Sequence, residues 1–267
     1  MTVNDIVNIL EKRSPVTAAE DWDAENVGLQ VGDRDSYVSK VYIALDATPE
    51  VVSTAIELGA GMIITHHPMI FGGVRKINSD SSLGCRILDL ARSGTACFCM
   101  HTNYDVTVMA QHASDMLGLV NEEVFYKTGE DANGNPEGIG RIGFLQSDMK
   151  LSELATRVKE RFNISSLRFY GNPDMRVRSA AISPGAGRSM VGTAMKKGAD
   201  VLVTGDIDHH TGIDSAADGL CIIDAGHYGI EHIFVNEVCD YLTRAFAQAG
   251  EKIEIIKAPD KNPFEVI

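Results

Sequence analysis

The sequence is short of positive charge. Its 24 Lys and Arg face 37 Asp and Glu, a net charge of −13, which weighs against non-specific binding to DNA, RNA or an anionic membrane. No apolar run approaches the ~18 residues of a membrane span. No Cys-x-x-Cys pair occurs among Cys85, Cys97, Cys99, Cys221 and Cys239. Cys97, Cys99 and Cys221 lie in apolar runs that read as buried strands, so reduced core thiols are expected. Met1-Thr2-Val3-Asn4-Asp5 offers neither the basic start nor the apolar core of a signal peptide. A cytoplasmic protein with no membrane and no nucleic-acid partner is therefore expected. Gly185-Ala186-Gly187-Arg188-Ser189 is similar to a phosphate-binding turn before a helix, but it lacks the full dinucleotide fingerprint and the P-loop lysine. What is present is ordinary globular usage, 44% hydrophobic and 23% charged over 267 residues, long enough for one large domain or two small ones.

Ile6, Val7, Ile9 and Leu10 recur at helical spacing, with Asn4 as the expected cap. A turn-rich stretch holding the one tryptophan, Trp22, leads to Glu25-Asn26-Val27-Gly28-Leu29-Gln30-Val31-Gly32. Val41-Tyr42-Ile43-Ala44-Leu45 reads as a buried strand, 49–58 as a helix and Met62-Ile63-Ile64-Thr65 as a second strand. That is a βαβ unit, the building block of parallel sheets. The unit recurs 139 residues later: residues 55–65, AIELGAGMIIT, align with 194–204, AMKKGADVLVT, and Val41 and Ile43 fall on Ala180 and Ile182. A further strand follows in each half, Ala96-Cys97-Phe98-Cys99-Met100 and Leu220-Cys221-Ile222-Ile223.

The expected fold is α/β, with two related βαβ-containing halves (1–122 and 177–267) forming one domain around a small inserted α+β module, 123–176. The module opens on loop chemistry at 129–136 and continues with a strand at 141–145, an amphipathic helix over 151–162 and a strand at 166–170. Its eight basic and eight acidic residues cancel, so the acidity belongs to the halves. Val158 and Phe162 read as core positions of its helix. A helix over 230–249 and a strand at 254–256 close the chain.

Seven of the eight histidines fall just after predicted buried strands: His66 and His67, His101, His209 and His210, His227 and His232. Only His112 stands apart, and it reads as structural. Ligands bind beyond the carboxyl ends of parallel strands, so these clusters point to one sheet edge. Asp105, Asp206, Asp208, Asp224 and Glu231 accompany them. For His66 and His67 to serve one centre the chain must bend there, which Pro68 favours. His227 and Glu231, spaced i, i+4, share one face if a helix opens at Gly226. Imidazole with carboxylate suits Zn, Fe, Mn, Ni or Co. Phe71-Gly72-Gly73-Val74-Arg75-Lys76 is either a phosphate-holding loop or an exposed one with solvated charges.

Ile64-Thr65-His66-His67-Pro68, His101-Thr102-Asn103-Tyr104-Asp105, Thr204-Gly205-Asp206 through His210, and Gly226-His227-Tyr228-Gly229-Ile230-Glu231 together resemble the four signatures of the Nif-three-like family, whose members are also called GTP cyclohydrolase 1 type 2 homologues. The match runs in order from Asn26 to the C-terminal helix. The resemblance implies a toroidal homohexamer and two divalent metal ions per chain, held by His66, His67, Asp105, His227 and Glu231. Five ligands exceed the four of a structural zinc and suit a pair of metals. His101 and His210 match recurrent family histidines that orient ligands or handle protons, and His101 is the expected proton-transfer residue. Ile230 stands where many members carry a hydroxylated residue, and His209 where a tyrosine is common. The expected activity is hydrolysis by a metal-activated water, and the resemblance implies a nucleotide such as GTP as the small-molecule substrate. The alternative is a ring-shaped scaffold that stores, senses or delivers metal without catalysis.

Overall fold

The computed structural model describes residues 1–131 and 133–266; Ala132, within the expected 129–136 loop, and Ile267 lie outside the described residues. In chain order the elements are α1 (Val3–Arg13), β1 (Gly28–Val31), β2 (Lys40–Ala44), α2 (Pro49–Glu57), β3 (Met62–Thr65), α3 (Ser82–Ser93), β4 (Ala96–Cys99) and the short α4 (Thr102–Tyr104). A π-helical turn, Asp105–Met109, precedes α5 (Ala110–Leu117), β5 (Leu119–Glu130), β6 (Pro136–Lys150), α6 (Leu151–Arg161), β7 (Arg168–Tyr170), β8 (Arg176–Ala186), α7 (Val191–Lys197), β9 (Val201–Gly205), α8 (His209–Ala217) and β10 (Cys221–Asp224). The chain ends with α9 (His227–Glu231), α10 (Ile233–Ala249) and β11 (Glu254–Lys257). Two compact units result, Met1–Tyr104 with Phe234–Asp260, and Asp105–Ile233 with Lys261–Ile267. Each holds one mixed sheet, so the fold is α/β with two mixed sheets.

The first unit's sheet runs β1-β4-β3-β2-β11. Its β2, β3, β4 and β11 are parallel, and β1 is antiparallel to β4. Both side-chain parities of β3 and β4 are buried, the mark of a parallel sheet covered on both faces. On one face Tyr42, Ile63 and Cys97 pack with Val52 and Ala55 of α2 and Ile87 and Leu90 of α3. α1 buries Val3, Ile6, Val7 and Leu10. α10 buries Phe234, Val238, Leu242 and Phe246 at i, i+4 spacing. The Tyr241 hydroxyl donates to the Ile9 carbonyl (2.8 Å), and Glu237 accepts from Arg13 (2.6 Å) and the Tyr104 hydroxyl (2.7 Å). Asn4 is not the cap of α1. Thr2 is extended, its hydroxyl accepts from the Asp5 amide, and the Asp5 carboxylate accepts from the Thr2 amide. That reciprocal box satisfies two orphan donors at once, whereas Asn4 lies inside the first turn and accepts from Arg34.

The second unit's sheet runs β5-β6-β8-β9-β10-β7. β8, β9 and β10 are parallel; the β5–β6 hairpin and β7 add antiparallel neighbours. The stretch 123–176 supplies most of β5 and all of β6, α6 and β7. One face buries Phe125, Ile142, Ala181, Leu202 and Ile222 against Ala194 and Ala199 around α7. α6 buries Leu151, Leu154, Ala155 and Val158, and Phe162 is fully buried, as their spacing predicts.

The 139-residue repeat is reproduced in the register of each sheet. Val41 faces Met62 in one, and Ala180 faces Val201 in the other. The Gly61 amide donates to the Lys40 carbonyl as Asp200 does to Ser179, and Ala60 donates to Ala55 as Ala199 does to Ala194. Among the described residues no helix is long and apolar enough to cross a membrane.

Candidate metal centre

In the first unit, β2, β3 and β4 deliver Asp46, the His66–His67 pair and His101 from their carboxyl ends, as the strand-edge rule anticipates. The bend after β3 is made by one acceptor: the amides of both His66 and His67 donate to the Leu45 carbonyl (3.2 and 3.0 Å). The Thr65 hydroxyl donates to the His67 carbonyl (2.9 Å) and closes the turn. Ring centroids of His66 and His67 stand 4.9 Å apart, and those of His101 lie 5.4 and 5.7 Å from them. One ring nitrogen from each of His66, His67 and His101 lies within 4.8 Å of the other two.

The Nδ1 atoms set the tautomers. His66 Nδ1 lies 2.8 Å from the Met100 carbonyl, His67 Nδ1 2.8 Å from Asp46 Oδ1, and His101 Nδ1 2.8 Å from Asp23 Oδ2. A carbonyl or a carboxylate accepts and does not donate, so each neutral ring carries its proton on Nδ1 and presents its lone pair at Nε2. Such outer partners orient metal-binding imidazoles and raise their basicity. Asp23 is fully buried and also accepts from the Thr102 amide and hydroxyl and from Asn26. Burial pushes its carboxyl pKa up, but hydrogen bonds from His101, Thr102 and Asn26 outweigh that and hold it below the usual carboxylate value.

In the second unit, α9 opens at Gly226, whose φ of +75° is open to glycine and costly for other residues. His227 and Glu231 then meet across one helical turn, Nε2 to Oε2 at 2.9 Å, while His227 Nδ1 lies 2.7 Å from Asp206 Oδ2. Asp206 sits just beyond β9 with φ +55°, a left-handed conformation that Asp tolerates better than most residues. A carboxylate oxygen of Asp105 lies within 4.8 Å of one of Glu231. Gly185, at φ +80°, makes room for this pair: a Cβ there would stand 2.5 Å from Glu231 Oε1. Below the site, buried Asp224 accepts from Arg168 and from the Ile207 and Gly226 amides, and its hydrogen bond raises the Arg168 pKa.

Imidazole nitrogens with Nδ1 pinned, and a helix-borne His–Glu pair beside Asp105, are donor sets that fit a divalent metal such as Zn, Fe, Mn, Ni or Co. His101 belongs with His66 and His67 in this geometry. His209 and His210 instead open α8, exposed, behind an Asp208 cap. His232 stacks on Tyr228 (5.7 Å, 12°) and its Nδ1 meets the Gly229 carbonyl. His112 lies on α5. The 185–189 glycines serve close packing, since a Cβ on Gly187 would overlap Thr204. Sequence reasoning overlooked Asp23 and Asp46 as the partners of His101 and His67. Asp46 carried a usable signal, because it too follows a buried strand; Asp23, in a turn-rich stretch, carried none.

Residues 1–263 match the family described as Duf34/NIF3 (NGG1p interacting factor 3). A GTP cyclohydrolase 1 type 2 homolog of Clostridium acetobutylicum is 37% identical over 233 residues, covering 86% of this chain and 85% of that one. Among solved structures, a Bacillus cereus protein related to NIF3 superposes with a TM-score of 0.93 at 25% identity, over 100% of this chain and 99% of that one. A hypothetical protein of Staphylococcus aureus gives 0.90 at 30% identity, with the same coverage.

Proposed function

The chain belongs to the Duf34/NIF3 family, and on that premise we propose that it binds two divalent metal ions and works as a metal-dependent hydrolase on a nucleotide or a similar substrate. The observation that carries this is the imidazole cluster of His66, His67 and His101, each Nδ1 tied to an acceptor. The proposed ligands are those the resemblance implies: His66, His67, Asp105, His227 and Glu231. When bound, divalent cations would lower the pKa of a water toward neutrality, which would supply a nucleophile near neutral pH.

The chain's own residues contribute orientation and proton handling. Met100 and Asp46 fix the rings of His66 and His67. Asp206 fixes His227, and Gly185 leaves space for Glu231. His101, oriented by buried Asp23, takes or returns a proton at Nε2, the arrangement a general base requires. The name of the Clostridium acetobutylicum relative suggests GTP as the first substrate to try. A ring-shaped homohexamer of six 28.9 kDa chains in the cytoplasm is part of the same proposal; light scattering on the purified protein tests the assembly.

The functional test is turnover of GTP, other nucleotides and phosphoesters by metal-loaded protein, with His101→Ala beside it. Turnover that falls at least 100-fold in the variant while its metal content holds supports the proposal. No turnover of any of these, with metal released readily to a chelator, replaces hydrolysis with metal storage or delivery.

A further inference from the structure

Trp22 and Phe71 are large aromatic side chains left 61% and 64% exposed beside the imidazole cluster. Their ring centroids stand 6.3 Å apart at 52°, and both meet His101 edge-on, at 6.0 Å and 87° and at 6.4 Å and 79°. The three rings line one corner. Scattered exposed apolar side chains are ordinary; these two differ in touching each other and the His101 ring.

The backbone under both rings is fixed. Gln30 spans the approach to Phe71: its Oε1 accepts from the Met69 and Ile70 amides (2.8 and 3.1 Å) and its Nε2 donates to the Ile70 carbonyl (2.8 Å). On the far side Asn26 Oδ1 accepts from the Gly72 amide (2.8 Å). Asp23, next to Trp22, is buried under four donors. Gln30 and Asn26 thus pin the segment from Met69 to Gly72. Met69 and Ile70 pack into the core, and the Phe71 ring between these fixed points stays outside it. Pre-organised rings lower the entropic cost of stacking a ligand.

We propose that Trp22 and Phe71 form a stacking wall that takes the planar heteroaromatic ring of the substrate, a nucleobase, and sets it beside His101. The wall makes these two residues determinants of ring recognition in the hydrolase proposed above, and it rests on that proposal for the identity of the site. Stacking is tolerant of base identity because every base has a π-face. The wall therefore selects for an aromatic ring and leaves the choice among bases to other contacts.

Trp22 is the one tryptophan of the chain, so its emission reads the wall directly. Full-length protein, stripped of metal with EDTA and again metal-loaded, is titrated with guanosine, GTP, ribose 5-phosphate and tripolyphosphate. Guanosine and GTP should quench Trp22 saturably, and the two ring-free probes should not. Phe71→Ala should weaken guanosine binding roughly 5- to 100-fold, the size of one base–aromatic stack, and Phe71→Tyr should restore it. Thermal melts confirm that the exposed-site variants stay folded. Equal quenching by ribose 5-phosphate, an unchanged dissociation constant in Phe71→Ala, or no nucleoside binding overturns the wall. So does emission shielded from acrylamide in free protein and released on dissociation of an oligomer, which would mean that a second copy covers the rings. Quenching is read without turnover, so a protein that binds guanosine and hydrolyses nothing refutes the hydrolase and leaves the wall standing.

Discussion

Asp23→Asn should cost far more than an isosteric change of one polar residue usually does. The native carboxylate is fully buried. Its Oδ2 accepts from His101 Nδ1 (2.8 Å), the Thr102 hydroxyl (2.7 Å) and the Thr102 amide (3.2 Å), and its Oδ1 accepts from Asn26 Nδ2 (3.1 Å). An amide has one accepting oxygen. Turned toward the three donors, it sets its own NH2 against the NH2 of Asn26, leaving a buried donor unsatisfied at about 1–3 kcal/mol. The three remaining bonds lose their charge assistance, which roughly halves their strength. The expected loss is about 2–4 kcal/mol at pH 7. Asp46→Asn is the control: its carboxylate is partly exposed with one bond to His67, and it should cost under about 1 kcal/mol. Urea unfolding followed by Trp22 emission, with Thr102→Val closing a double-mutant cycle, measures both the loss and a coupling of at least about 1 kcal/mol. A loss below about 0.5 kcal/mol, or strict additivity with Thr102→Val, would refute this view of Asp23 as the buried anchor of His101.

Burial pushes the Cys97 thiol up to about 12. Ellman's reagent at pH 8 should therefore label partly exposed Cys85 and Cys239 in native protein while Cys97, Cys99 and Cys221 wait for unfolding. Bonds from the Thr211 hydroxyl and amide lower the Asp208 carboxyl from 3.8 to about 2. Because the folded value lies below the unfolded one, its contribution to α8 is present above about pH 4 and is lost as pH falls through about 2; carboxyl NMR should show that midpoint, and Thr211→Val should raise it. Gly185→Ala puts a Cβ 2.5 Å from Glu231 Oε1 at φ +80°, so it should destabilise by at least about 1–2 kcal/mol from backbone strain and lower metal content in elemental analysis.

Strand ends were the most legible part of the sequence. Runs such as Met62–Thr65 and Val201–Gly205 are buried on both faces and so contain no alternation to misread, and the histidines behind them stood out. The repeat was legible because the strand–helix–strand core of each βαβ unit recurs at one offset, with bonds such as Gly61 to Lys40 and Asp200 to Ser179. The partners of the histidines were not, because pairing is set by the fold: Asp23 lies 78 residues from His101 and Asp46 lies 21 from His67. His209 and His210 looked like another strand-end cluster, but Asp208 caps the chain into α8 and turns both outward. The full length of β5 was also hidden, since its mixed burial leaves few apolar positions to mark it.

Counting metal is the most direct test. Protein purified without added metal, analysed for bound elements beside His67→Ala, should carry about two divalent ions per chain, and the variant clearly fewer. Preparations without bound metal that also take up none on titration, or a His67→Ala variant that binds as much as the parent, would contradict the proposed centre.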